Sequence, residues 1–145
     1  MDEDQTRELA GALADAADRA TRDLLEGDIG EEDDLASQLC GRMKSAVENL
    51  NLDGVKLRAR HLKSRGPRAE EPHIGADLVI VLDRSEPADR VIKGLLLQAK
   101  KTADGTLTRS EFNRLRDQCR SMLRHSAASF AIDFQTSGIF FGWSI

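Results

Sequence analysis

Two short apolar runs constrain this chain more than anything else in it. Residues 76–83 read Ala-Asp-Leu-Val-Ile-Val-Leu-Asp, residues 91–101 read Val-Ile-Lys-Gly-Leu-Leu-Leu-Gln-Ala-Lys-Lys, and only 84–90, with Pro87, lies between. Runs of this length, rich in β-branched residues and bounded by turn formers, read as strands. The stretch 84–90 reads as a hairpin connection, which sets the start of the first strand beside the end of the second. Gln98 and Lys100 stand at i and i+2, on one face of their strand. The hairpin register brings Asp77, the one interior charge of its run, next to both.

That trio suits one kind of chemistry. Hydrolysis of a phosphodiester calls for a hard divalent cation, Mg²⁺ or Mn²⁺, held by oxygen ligands. Asp77 supplies a carboxylate, Gln98 an amide oxygen and Ala99 a backbone carbonyl. Lys100 would position or activate water, or offset charge on the scissile phosphate. The plain alternative is an Asp77–Lys100 ion pair between two strand ends.

Helical periodicity accounts for much of the remainder. Residues 5–26 place Leu9, Leu13, Ala16, Ala17, Ala20 and Leu24 on one stripe ahead of Gly27, and a second helix begins near Glu31 and buries Leu35, Leu39, Met43, Ala46 and Leu50. Val55 to Leu62 alternates apolar and basic residues as a half-exposed strand does. Residues 63–72 read as a loop. A helix over 109–125 and two short strands, 129–134 and 138–143, complete the chain. The order helix, helix, three strands, helix, two strands predicts an α/β fold of the mixed α+β kind: a central mixed sheet of four to five strands flanked by helices. Residues 1–27 read as an N-terminal amphipathic helix and 28–145 as the main domain.

At 145 residues the chain is long enough for one sizeable core. No apolar run approaches bilayer length. The N-terminus is acidic and no apolar signal core follows it, so a cytoplasmic protein is expected. Cys40 and Cys119 stand far apart, and His61, His73 and His125 follow no zinc spacing. Asp104 to Glu111 echoes part of an EF-hand loop, but Lys100 would occupy its first ligand position, and a lysine cannot bind Ca²⁺. The net charge is −4, which speaks against a general polyanion binder. The charge is unevenly spread, however. Acid dominates the first 34 residues, whereas Arg58, Arg60, Lys63, Arg65 and Arg68 cluster later and five further arginines lie between 109 and 124.

The segment Glu70-Glu71-Pro72-His73-Ile74-Gly75-Ala76-Asp77, followed by Lys93-Gly94-Leu95-Leu96-Leu97-Gln98-Ala99-Lys100-Lys101, resembles the GAD…QAK variant of the PD-(D/E)xK, restriction-endonuclease-like nucleases. The resemblance implies a restriction-endonuclease-like core over residues 31–142 and a metal-dependent deoxyribonuclease of the restriction or anti-phage defence kind. It also implies further site residues. Glu32, with Glu31 and Asp34 as alternatives, would be the acid on the helix before the first strand, against a competing role in offsetting the helix dipole. Gln118 would reach the site from the helix after the lysine strand, or face solvent. Glu71 would add a carboxylate, or pair with Arg65 or Arg68. Gln98 departs from the family pattern, which has Asp or Glu there. Either another acid compensates, or the metal binds weakly, or the domain has lost activity and only binds nucleic acid.

Arg58, Arg60, Lys63 and Lys101 are expected to bind nucleic acid, Arg58 and Arg60 through phosphates. The expected partners are DNA, with RNA left open, and a second copy of the chain or the rest of a larger defence effector. No membrane partner is expected.

Overall fold

The computed structural model describes residues 2–27, 32–86, 88–135 and 138–143, without the side chains of 25, 32, 33, 86, 138–141 and 143. Its elements run α1 (Glu3–Leu25), α2 (Glu32–Leu50), β1 (Val55–His61), α3 (Glu71–Ile74), β2 (Leu78–Glu86), β3 (Asp89–Lys101), α4 (Arg109–His125), β4 (Ser129–Gln135) and β5 (Gly138–Trp143). The five strands form one sheet in chain order. All neighbours are antiparallel except β3 and β4, which run parallel. A parallel pair needs a crossover connection, and α4 supplies it. The fold is therefore a mixed sheet with helices on both faces.

Local sequence explains where the helices begin and end. Asp2 and Gln5 form a reciprocal capping box ahead of α1, and Thr108 and Glu111 do the same for α4, each satisfying two backbone donors that a helix start leaves unpaired. The short α3 falls where a loop was expected. Pro72 fits its first turn, and Gly75 closes it in the left-handed conformation at φ 82°, which favours glycine. A Cβ on Gly75 would overlap the backbone carbonyl of Gln118, so only glycine lets the end of α3 rest against α4.

Paired residues on neighbouring strands share a sheet face, and the two faces differ in character. One carries Leu57, Leu78, Ile80, Leu97, Ala99, Ile132 and Phe134, which join Leu9, Ala16, Ala17 and Ala20 of α1 and Leu35, Leu39 and Met43 of α2 in the main core. α1 thus shares the core of the sheet. The other face carries Leu62 and Leu96, which pack with Ala76 against Cys119 and Met122 of α4. On this second face also lie Arg58, Arg60, Gln98, Lys100 and Asp133, following the register Arg58↔Val81, Arg60↔Val79, Gln98↔Ala131 and Lys100↔Asp133. No helix among the described residues is long and apolar enough to cross a membrane.

The β2–β3 hairpin is pinned far from its mouth by Asp83, which accepts from Arg90 Nε at 3.1 Å and Nη2 at 2.7 Å. The Arg90 hydrogen bonds hold the Asp83 carboxyl below its ordinary range, with help from Ser85. A carboxylate whose pKa falls on folding adds stability that is complete above the unfolded value, near pH ~4, and is lost as pH drops through the folded value. Asp83→Asn is therefore expected to lower the Tm at pH 7 and to flatten its dependence on pH below about 4. Thermal melts of both proteins from pH 2 to 7 check this; parallel curves would mean that the Asp83–Arg90 pair contributes nothing.

Candidate functional site

The hairpin register decides the site. Leu78 pairs with Leu97, so Asp77, one residue ahead of β2, faces Gln98. The sequence reading placed Asp77 inside the strand. It stands instead just before it, where its backbone continues the sheet on both sides: its N–H donates to the Leu97 carbonyl at 2.9 Å, and its carbonyl accepts from Leu62 N–H at 2.6 Å. The side chain turns onto β3. Asp77 Oδ2 accepts from Gln98 Nε2 at 2.6 Å and from the Ala99 N–H at 2.8 Å. Gln98 Nε2 donates its other proton to the Ala99 carbonyl at 3.1 Å. Asp77 and Gln98 are 6% and 1% exposed, so this is a buried polar unit beneath α4.

One atom of that unit stands out. Gln98 Oε1 is buried and has no hydrogen-bond partner among the described residues. Leaving a buried acceptor unsatisfied costs roughly 1–3 kcal/mol. The oxygens a hard cation would take, Asp77 Oδ2 and the Ala99 carbonyl, already converge on the Gln98 amide, and a third oxygen on that amide is unused. The donor set fits a hard divalent cation. Its weakness is charge, because it holds one carboxylate. Among the described residues no three His, Cys, Asp or Glu side chains gather into a metal-binding group.

Lys100 lies one pleat beyond Gln98 on the same face and lines a cavity of about 290 Å³ with Thr102, Leu107, Leu115, Ala131 and Asp133. Its charge is felt at the start of α4. The Glu111 carboxyl is held below its ordinary range first by the Thr108 backbone and hydroxyl, and in smaller part by Lys100. Asp133, opposite Lys100 in register, was not singled out from the sequence. It accepts from the Thr102 N–H at 3.1 Å, from Thr102 Oγ1 at 2.6 Å and from Gln135 Nε2 at 2.6 Å. It therefore anchors the loop that leaves β3. Its signal was a charge inside the run Ser129 to Phe134, the same signal that marked Asp77.

The remaining candidates are placed elsewhere. Glu71 is 7% exposed and accepts from Gln118 Nε2 at 3.0 Å. It pairs with neither Arg65 nor Arg68, and Gln118 points inward rather than to solvent. These two line a separate cavity of about 460 Å³ with Ser64, Gly75, Arg114 and Ser121. The structure thus forms two bonded units, Asp77–Gln98–Ala99 and Glu71–Gln118, with Gly75 packed between α3 and α4 on the chain that joins them. Glu32 opens α2, but its side chain and residue 31 lie outside the described residues. Arg58, Lys63 and Lys101 are exposed. Arg60 is exposed too and pairs with Glu70 at 2.7 Å, a surface contact worth about 0–1 kcal/mol that a phosphate could displace.

Compared with protein-family models and with curated proteins, the chain matches none.

Proposed function

We propose that this chain is a metal-dependent nuclease domain that hydrolyses phosphodiester bonds of DNA. One observation carries the reading: Asp77 Oδ2 and the Ala99 carbonyl converge on the Gln98 amide, whose own oxygen is buried without a partner. Asp77, Gln98 and Ala99 would hold the cation, which when bound polarises the phosphate and generates a nucleophilic hydroxide from water. Lys100 would approach the same phosphate from the cavity it lines, offsetting the charge that builds on it. The strand pairing keeps these groups in fixed relation, because Asp77 is tied through its backbone to Leu62, just after β1, and to Leu97 of β3. Assignment to restriction or anti-phage defence rests on the resemblance of 75–77 and 98–100 alone.

A second reading, a nucleic-acid-binding or assembly module without catalysis, is favoured by one feature. Asp77 and Gln98 already bond to each other and to the Ala99 backbone without a cation. Incubation with plasmid, linear duplex, single-stranded DNA and RNA, in Mg²⁺, Mn²⁺ or EDTA, separates the two. Cleavage is expected with either metal and none in EDTA. Mn²⁺ should give the faster reaction, since it binds mixed, weakly charged sites more tightly than Mg²⁺ does. Retained binding with no cleavage of any substrate would leave the second reading.

The basic residues of β1 add a prediction. Arg58 and Arg60 share one face and are both exposed, so they suit a grip on the backbone rather than on bases. Replacing both with glutamine should weaken binding alike for all sequences. It should also lower the salt slope for duplex DNA by about 1.8, at ~0.9 per phosphate contact. An unchanged slope in a salt titration would make them a solvated strand face.

A further inference from the structure

The Gln98 side chain is used at one end only. Both protons of Nε2 are donated, to Asp77 Oδ2 at 2.6 Å and to the Ala99 carbonyl at 3.1 Å, while Oε1 is left without a partner. The reverse orientation is unfavourable without a cation, because Gln98 Oε1 would then face Asp77 Oδ2 and the Ala99 carbonyl, two oxygens to which it cannot donate. The partly positive NH₂ group therefore occupies the position that faces both oxygens.

We infer that the Gln98 amide is a two-position gate for the metal. The inference rests on the nuclease reading of this site and says how the cation is admitted. In the metal-free protein the NH₂ group holds Asp77 and Ala99 together as a surrogate for the cation. When the cation enters, the amide turns about its terminal bond and presents Oε1 as a neutral third ligand. That torsion is soft and roughly two-fold, so the turn needs no movement of the backbone. A glutamine is the side chain that serves both states, since it carries a donor pair and an acceptor at the two ends of one plane. A glutamate could ligate the metal but could not bridge two oxygens in its absence. Buried beside Asp77, it would set two like charges together. Gln98 thus exchanges metal affinity for a site that folds stably before any metal arrives.

The test follows the Gln98 side-chain NH₂ resonances of the ¹⁵N-labelled protein, assigned through the Gln98 backbone, during a Mg²⁺ titration, with calorimetry recording metal binding in parallel. Without metal the two protons should exchange slowly with water. Saturating Mg²⁺ should shift both signals and speed their exchange on the order of tenfold or more, the factor one lost hydrogen bond is worth. A second arm measures stability. Gln98→Glu should melt below the parent in EDTA at pH 7 and regain stability in Mg²⁺ by a larger Tm shift than the parent shows. If calorimetry records Mg²⁺ binding while the NH₂ signals stay in place, the gate is wrong and the nuclease reading survives. If Mg²⁺ does not bind with or without DNA, the nuclease reading fails and the gate falls with it. A Gln98→Glu protein as stable in EDTA as the parent, and indifferent to Mg²⁺, would also overturn the gate.

Discussion

Asp77→Asn is expected to lower metal-dependent cleavage on the order of 10³-fold, about 4 kcal/mol of transition-state stabilisation. Asparagine is the informative choice because of what Asp77 holds. The buried carboxylate accepts from both Gln98 Nε2 and the Ala99 N–H. Alanine would strand two buried donors at roughly 1–3 kcal/mol each, so a dead Asp77→Ala protein would not show whether a ligand or the fold had been lost. Asparagine keeps an acceptor in place and removes the charge. Single-turnover cleavage in Mg²⁺, read beside a thermal melt, checks the prediction. A variant that cuts at the parent rate would remove Asp77 from the chemistry.

The second large effect is expected at Lys100. Lys100→Met should slow cleavage by about 10²–10³-fold, the range found when a group that stabilises developing charge is deleted. Binding should weaken much less, because Lys100 is one of several cations near the proposed path of the backbone. The side chain is half-buried at the rim of its cavity, and methionine keeps most of its packing. Rate and affinity are measured separately, the first under single-turnover conditions and the second by titration in EDTA. Equal losses in both would make Lys100 an ordinary phosphate contact with no part in the reaction.

Where the sequence was legible, a single local pattern decided the matter. The span of α4 follows from a 3.6-residue repeat bounded by Thr108 and His125. The contact of Asp77 with Gln98 follows from a hairpin too short to admit many registers. What stayed hidden depends on residues far apart in the chain. The register of β4 on β3 passes through α4 and its two loops, so nothing local placed Asp133 opposite Lys100. The pairing of Glu71 with Gln118 spans 47 positions and depends on Gly75 letting two backbones meet. The role proposed for Gln98 was also beyond reach, because a sequence shows which residue departs from a motif but not which end of its amide is satisfied.

The placement of β1 has a consequence for solubility. It lies at one end of the sheet order, so among the described residues no strand pairs with its outer side, which leaves an edge for a strand from another molecule. Positive side chains along such an edge discourage that pairing, and Lys56, Arg58 and Arg60 are all exposed there. The charges suited to a phosphate backbone therefore also keep the free protein from stacking edge to edge. Neutralising them would remove that protection together with the proposed contacts to DNA, so a binding deficit in such a variant is meaningful only where the protein is shown to remain dispersed.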